Sequence, residues 1–199
     1  MNRNTQSMRI VLISHPATQE QKAGIFPSDE PLDDETLAQL ATLACNPPRN
    51  GRVLTAPELR TQQTAQALGL SAIEASELRD CDFGRWHGLS LEELQAEKLS
   101  SLPEWLTDVT AAPHGGESFY NLMTRVGNWL DEQLGGGPVL AVTHASVIRA
   151  AVVHALQLSP HGSFLRIEVA PLTATDIRHT GGSWRVRSVG VPLSSKTLD

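Results

Sequence analysis

Two histidines end two short apolar segments of the chain, and an imidazole can act near neutral pH as a nucleophile, an acid or a base. The first segment is RIVLISH, which ends at His15, and the second is PVLAVTH, which ends at His144. Short continuous runs of Ile, Val and Leu predict strands buried on both faces, as in parallel sheets covered by helices. Ligands of such sheets bind at the carboxyl ends of the strands. The sequence therefore predicts that the two imidazoles share one site; the competing hypothesis is a pair of core histidines bonded to backbone.

The elements that must position the histidines alternate between strand and helix. Apolar periodicity and cap residues predict helices over residues 34–45, 57–68, 90–99, 119–134 and 146–158. Besides the two histidine segments, strands are predicted over residues 52–55, 164–170, 174–179 and 184–189. This order predicts an α/β fold, a three-layer α/β/α sandwich with a mostly parallel mixed central sheet.

Length and composition indicate one folding unit. The chain has 199 residues, of which 40% are hydrophobic, and this suffices for one good core. We expect a single domain over residues 1–199, with its core at about 8–190 and loose tails at 1–7 and 191–199. The sequence leaves open whether the protein is a monomer or a homodimer.

Charge and cysteine content restrict the partners and the compartment. The formal net charge is −6 and no Lys/Arg cluster interrupts the sequence, so we expect neither a nucleic acid nor a membrane as partner. A small anionic metabolite stays compatible, because a few local cations suffice to bind it. Cys45 and Cys81 have no metal or redox spacing, and residues 1–8 lack the apolar core of a signal peptide. We therefore expect a cytoplasmic protein.

Four further segments resemble, in order, motifs of one known family. Residues 55–65 (TAPELRTQQTA) resemble SSPLxRAxQTA, and residues 78–94 (LRDCDFGRWHGLSLEEL) resemble LRExxFGxWEGLTLEEL. Residues 115–118 are GGES, and residues 139–150 (VLAVTHASVIRA) are similar to VLVVSHGGVIRA. Together with His15 these motifs resemble the histidine phosphatase superfamily, branch 1, whose fold is phosphoglycerate mutase-like.

The resemblance implies a phosphatase that needs neither a metal nor another cofactor and that passes through a phosphohistidine. It implies that His15 is the nucleophile, that Arg60 clamps the phosphate, and that His144 is the second imidazole of the site. Asp80 stands where the family has a proton-donating Glu. Such roles suit phosphoryl transfer, in which catalysis is mostly positioning and charge neutralisation, with an acid of raised pKa protonating the leaving group.

Three more residues are predicted to contact the substrate. The resemblance places the Thr18 hydroxyl in the loop on the phosphate side of the site. Ser14 and Ala145 are the neighbours of the two histidines and complete the predicted set.

The first motif departs from the family pattern. The family has Arg-His-Gly where this chain has Ser14-His15-Pro16. Ser14 can donate one neutral hydrogen bond but cannot replace the charge of an arginine, and losing one preorganised donor of this kind costs about 10²–10³ in rate. Pro16 also removes a backbone N–H and fixes φ near −65°. We therefore expect slowed or altered chemistry.

Other side chains are candidates near the site. Lys22, Arg79 and Arg85 are candidate replacements for the lost arginine, although each also fits a solvated surface charge. His87 and His114 fit either the border of the site or ordinary loop positions.

Three residues of the later motifs have alternative interpretations. We expect Glu117 to cap its helix and Arg149 to be a structural partner. Trp105, in the variable insertion, is the tryptophan best placed to meet a substrate.

These observations favour a metal-independent phosphomonoesterase acting on a small phosphorylated metabolite. The short insertion between Leu94 and Pro113 suits an open phosphatase pocket. The alternatives are an impaired member that binds an anion without turnover, and a divergent acid–base enzyme on the same fold. The sequence contains no Gly-x-Ser-x-Gly elbow, no phosphate-binding glycine loop after a strand and no HExxH zinc pair.

Overall fold

The computed structural model describes residues 7–43, 45–96 and 101–193, and these residues contain one six-stranded sheet. The order of the strands across the sheet is β3-β2-β4-β1-β5-β6. The strands are β1 (Met8–Ser14), β2 (Arg52–Thr55), β3 (Ile73–Glu74), β4 (Val139–Thr143), β5 (Thr173–Thr180) and β6 (Ser183–Pro192).

The sheet is parallel on one side and antiparallel on the other. Strands β3, β2, β4 and β1 run parallel, whereas β5 and β6 extend the sheet as an antiparallel hairpin. In the centre, Ser14 pairs with Thr143, and the His15 N–H donates to the Thr143 carbonyl at 3.1 Å. Because the two strands are parallel and in this register, His15 and His144 leave the sheet side by side.

Helices cover both faces of the sheet. The helices are α1 (Gln19–Lys22), α2 (Asp34–Leu40), α3 (Leu59–Ala67), α4 (Leu91–Ala96), α5 (Leu102–Thr107), α6 (Phe119–Glu132) and α7 (Ala145–Ala155). Alternate residues of β1 point to opposite faces, so Ile10 and Leu12 pack in the core beneath α6 and α7, while Ile13 packs with Leu40 and Ala65 of α2 and α3. The predicted three-layer sandwich with a mixed sheet is confirmed.

Several predicted boundaries differ from the observed ones. The strand predicted over residues 164–170 is wrong, because Phe164–Arg166 forms a 3-10 turn. Gly162, at φ 79°, turns the chain before it, and the buried Phe164 ring packs 4.6 Å from that of Phe119. The sequence did not indicate β3, whose two residues are exposed and carry no burial pattern.

The end of one helix differs from the predicted one, and the start of another agrees with it. Helix α2 ends at Leu40, and α4 begins after Ser90 in the predicted capping box with Glu93. Residues 97–100, to which the predicted helix extended, lie outside the described residues, as do residues 1–6 and 194–199 of the predicted tails. Strand β6 extends through Pro192, which pairs with Thr173.

Arg125 of α6 fixes the segment that carries Asp80, which we call the Asp80 loop (residues 77–84). Its guanidinium donates to the carbonyls of Glu77, Arg79 and Asp80 at 2.6, 3.1 and 3.3 Å. The same group forms two hydrogen bonds with the Glu117 carboxylate, at 2.9 and 2.6 Å. One mostly buried cation therefore satisfies several backbone acceptors that water reaches poorly.

A glycine completes the packing of the Asp80 loop. A Cβ on Gly116 would lie 2.1 Å from the carbonyl oxygen of Asp82, so glycine is the residue that allows this backbone approach.

Over the described ranges, no helix combines the length and apolar character required to cross a membrane.

We expect Arg125→Met to lower the free energy of unfolding by about 3 kcal/mol, because it leaves Glu117 and the loop carbonyls without their donor. The matched control is Arg178→Met, which breaks a partly exposed pair with Asp176 and should cost less than about 1 kcal/mol. Urea denaturation of both variants measures the difference. Equal losses would contradict the role given to Arg125.

Candidate active site

The structure brings His15 and His144 together at the carboxyl ends of β1 and β4. Their ring centroids lie 5.0 Å apart in an edge-on arrangement, and the residues are 6% and 1% exposed. Side chains, not backbone alone, contact the rings: the guanidinium of Arg60 lies 3.4 Å from a nitrogen of each. The geometry thus favours a shared site over two separately satisfied core histidines.

His15 is held as a neutral ring whose Nε2 atom carries the lone pair. Its Nδ1–H donates to the Pro16 carbonyl at 2.6 Å, so the lone pair is on Nε2. Arg60 Nε approaches that Nε2 atom at 3.4 Å. Burial, together with the nearby charges of His144 and Arg60, lowers the pKa of His15 to about 3. The ring is therefore unprotonated at neutral pH, as a nucleophile must be.

Arg60 is almost fully buried, and its donors are engaged within the protein. Nη1 donates to the Ser28 carbonyl at 2.8 Å, and Nη2 donates to Asp80 Oδ2 at 2.9 Å. A second carboxylate oxygen, Glu30 Oε2, lies 3.7 Å from Nη1. A phosphate entering the site would have to share this guanidinium with carboxylates or displace them.

Asp80 is held as a carboxylate. Its Oδ1 accepts hydrogen bonds from the Ser146 hydroxyl at 2.5 Å and from the Cys81 N–H at 2.8 Å. Burial opposes its ionisation, but the charges of His144 and Arg60 and the Ser146 bond outweigh burial and hold the pKa of Asp80 well below its ordinary value. The proton-donor role predicted for Asp80 calls for the opposite shift.

Glu58 is a site residue that the sequence analysis missed. Its Oε2 lies 2.7 Å from His144 Nε2, and its Oε1 accepts the Asp80 N–H at 2.9 Å. Burial raises the pKa of Glu58, but the bonds from His144 and Asp80 outweigh this effect, and the net shift is downward. One signal was available: Glu58 stands where the motif SSPLxRAxQTA has Leu.

The three predicted substrate contacts have different surroundings. The Ser14 hydroxyl donates to the Ala170 carbonyl at 2.7 Å and accepts the Thr173 N–H at 3.1 Å. The Thr18 hydroxyl donates to Glu30 Oε1 at 2.9 Å and caps α1. Both hydroxyls are thus used within the fold, although Ser14, like Ala145, lines the cavity over the histidines.

That cavity has a volume of about 400 Å³ and is also lined by His15, His144 and Lys22. The Lys22 Nζ lies 3.9 Å from Asp33, and more than half of the side chain is exposed. A neighbouring cavity of about 360 Å³ is lined by Arg79 and His87 among others. Lys22 therefore shares a cavity with both histidines, whereas Arg79 lines the neighbouring one and Arg85 is exposed.

The remaining candidates have structural surroundings. His114 is buried, accepts the Gly116 N–H at 3.0 Å, and packs 4.9 Å from the Trp86 ring. Trp105, the tryptophan best placed by the sequence to meet a substrate, is 9% exposed and packs against Phe119 in the core.

Glu117, before α6, and Arg149, in α7, both have structural contacts. Glu117 pairs with Arg125, while its neighbour Ser118 caps α6, so the expected cap is shifted by one residue. Arg149 donates to the Ile167 carbonyl at 2.9 Å, as a structural partner would.

Within the described part of the chain, no three His, Cys, Asp or Glu side chains are grouped so that they could hold a metal ion.

The low pKa of His15 predicts a pH dependence of stability. Between the native value of about 3 and the ordinary 6.5, the unfolded chain binds a proton that the native protein does not, so acid lowers the free energy of unfolding. From about pH 7 to about pH 5.5, the wild type should lose about 1 kcal/mol more than His15→Gln, in urea denaturation. This window lies above the ordinary carboxylate pKa values. Identical losses in both proteins would contradict a neutral buried ring.

Comparison with known proteins gives both the family and the fold. A family model described as the histidine phosphatase superfamily (branch 1) matches residues 10–192. A bifunctional protein of Mycobacterium tuberculosis is 28% identical over 188 residues, which cover 88% of this chain and 52% of that protein. The chain thus spans about half the length of the first curated relatives it matches.

Two phosphatases are also similar. A glucosyl-3-phosphoglycerate phosphatase of M. tuberculosis is 31% identical over 101 residues, which cover 45% of each chain. The structure of a putative alpha-ribazole-5'-P phosphatase from Escherichia coli has a TM-score of 0.81 at 22% identity, with 94% of this chain and 98% of that chain covered. The structural likeness establishes the phosphatase fold, and the match over residues 10–192 shows that the chain belongs to the histidine phosphatase superfamily, branch 1.

Proposed function

We propose that the protein is a metal-independent phosphomonoesterase that acts on a small phosphorylated metabolite through a phosphohistidine at His15. The observation that carries this proposal is the state of His15: Nδ1–H is bonded to Pro16, and Nε2 faces Arg60 and the cavity it shares with His144. A neutral imidazole with its lone pair directed at a cationic pocket is prepared to attack phosphorus.

The contacts of Arg60 support transition-state stabilisation by the same pocket. Its guanidinium contacts both imidazoles at 3.4 Å, so a phosphoryl group on His15 Nε2 would lie within its reach. An arginine binds two phosphate oxygens at once, which also fixes the direction of attack. Lys22, on the wall of the cavity, adds a second positive charge.

The electrostatics of the site favour slow turnover. Glu30, Glu58 and Asp80 place three carboxyl groups around Arg60 and His144, and Ser14 supplies no charge where the family motif has Arg. A phosphate dianion must therefore compete with carboxylates for the buried cations. The loss of one preorganised donor accounts for about 10²–10³ in rate.

The similar phosphatases support a phosphate monoester but do not define which one. Their names refer to glucosyl-3-phosphoglycerate in one case and to alpha-ribazole phosphate in another. For this chain the proposed substrate is a small phosphorylated metabolite, a class that the cavity of about 400 Å³ can hold.

One observation favours a second function, the binding of an anion without turnover. Two nitrogens of the Arg60 guanidinium already donate within the protein, to Ser28 and to Asp80. A ligand that is held by the remaining contacts but not attacked by His15 is consistent with that arrangement.

Hydrolysis of p-nitrophenyl phosphate in the presence of EDTA separates these functions. We expect slow turnover that the chelator does not reduce and that His15→Ala abolishes, because the variant lacks the nucleophile. Equal rates in the two proteins would contradict the nucleophile. Thermal stabilisation by vanadate without any hydrolysis would support anion binding alone.

Restoring the family's cation tests the electrostatic account. Ser14→Arg and Ser14→Ala both lose the hydrogen bonds to Ala170 and Thr173, so their comparison isolates the added charge. We expect the arginine variant to hydrolyse p-nitrophenyl phosphate at least about tenfold faster than the alanine variant. Equal rates would show that the missing charge does not limit turnover.

A further inference from the structure

A carboxylate that the phosphoryl transfer described above does not use lies behind His144. Glu58 precedes α3 and its side chain is 17% exposed. Its Oε2 accepts a hydrogen bond from His144 Nε2–H at 2.7 Å, while its Oε1 is fixed by the Asp80 N–H at 2.9 Å. Because both oxygens have partners, the carboxylate is oriented and in turn orients the ring.

This bond decides which nitrogen of His144 faces the reacting atoms. With Nε2 directed at Glu58, Nδ1 lies 3.4 Å from Asp80 Oδ2 and 3.4 Å from Nη2 of Arg60, the guanidinium that also contacts His15 Nε2. A carboxylate on the far nitrogen of an imidazole stabilises the imidazolium and holds one ring orientation. The Nδ1–H of that imidazolium is then available to an oxygen bound beside His15.

Asp80, the residue to which the family resemblance gives proton donation, is bound differently. Its Oδ2 receives Arg60 Nη2–H, and its Oδ1 receives the Ser146 hydroxyl and the Cys81 N–H. Donors surround both oxygens, and such contacts stabilise the ionised form, which has no proton to give. The structure therefore separates two tasks, with Asp80 fixing Arg60 and another group supplying the proton.

We propose that His144 protonates the leaving group and that Glu58 is the positioning residue that holds His144 in the donor orientation. This proposal rests on the phosphomonoesterase function proposed above. The charged and titratable groups that contact the His144 ring are Glu58, Arg60, Asp80 and His15.

Hydrolysis of the ester then takes two steps, phosphorylation of His15 and its dephosphorylation by water. The lone pair of His15 Nε2 forms the N–P bond, the P–O bond to the leaving group breaks with its electron pair on oxygen, and the Nδ1 proton of His144 passes to that oxygen. In the second step a water oxygen attacks phosphorus, His144 Nδ1 takes a proton from the water, and the N–P electron pair returns to His15. The products are the alcohol and inorganic phosphate.

The dependence on the leaving group tests the proposal. Phenyl phosphate and p-nitrophenyl phosphate have similar shapes, but p-nitrophenolate leaves readily without a proton and phenolate does not. The ratio of their kcat/KM values reports proton donation in the first step, since binding and phosphate ionisation affect both esters alike. We expect Glu58→Gln to lower kcat/KM for phenyl phosphate at least about tenfold more than for p-nitrophenyl phosphate.

Two variants and one measurement on the wild type complete the experiment. Glu58→Asp keeps the carboxylate and should recover part of the ratio, whereas Asp80→Asn should slow both esters by similar factors. In the wild type, the ratio of phenyl to p-nitrophenyl phosphate turnover should fall as the pH rises, because only the poorer leaving group needs a proton from the site. This last readout needs no variant and so does not depend on how well Glu58→Gln folds.

Failure of the proposed phosphomonoesterase function and failure of the inference about Glu58 and His144 give different results. If the wild type hydrolyses neither ester, the proposed phosphomonoesterase function fails and this inference fails with it. If the wild type hydrolyses both but its ratio is independent of pH, only the inference about Glu58 and His144 is overturned. If Asp80→Asn alone shows the loss selective for phenyl phosphate, Asp80 is the donor and the same inference is overturned.

Discussion

The buried guanidinium of Arg60 is the interaction on which the site depends. It joins the loop after β1, through Ser28, to Asp80 and to both imidazoles. A fully buried charge is tolerated only where its donors are satisfied and opposite charge is close. The loops around it are therefore held in place by the same contacts that make the pocket cationic.

That requirement has an electrostatic consequence for the chemistry. Arg60 is compensated by Asp80 and Glu30, and His144 by Glu58. These carboxylates stabilise the folded site by pairing with its cations. A phosphate that binds there would have to replace part of that pairing. The competition between these carboxylates and a phosphate is a physical reason why family membership alone does not decide how fast this chain hydrolyses a substrate.

The neutral state of His15 and the ionised state of Asp80 come from the same enclosure. Burial and neighbouring positive charge lower the pKa of His15, while the same positive charge overcomes burial at Asp80. A neutral imidazole and the charges around it are thus produced together, but a protonated carboxylic acid is not. Glu58 changes this distribution of roles because it adds a carboxylate on the far side of His144.

The sequence alone determined the two strands that end at His15 and His144, the shared site of these residues, and the layer order, because hydrophobic periodicity and chain order are local properties. It could not show that Ser14 is bonded to Ala170 and Thr173, since residues some 156 and 159 positions apart meet through the β1–β5 pairing. Tertiary structure likewise decided the partners of Arg60 and Asp80 and the contact between Glu58 and His144. Protonation and hydrogen-bond partners depend on burial and distance, and a linear order of residues specifies neither.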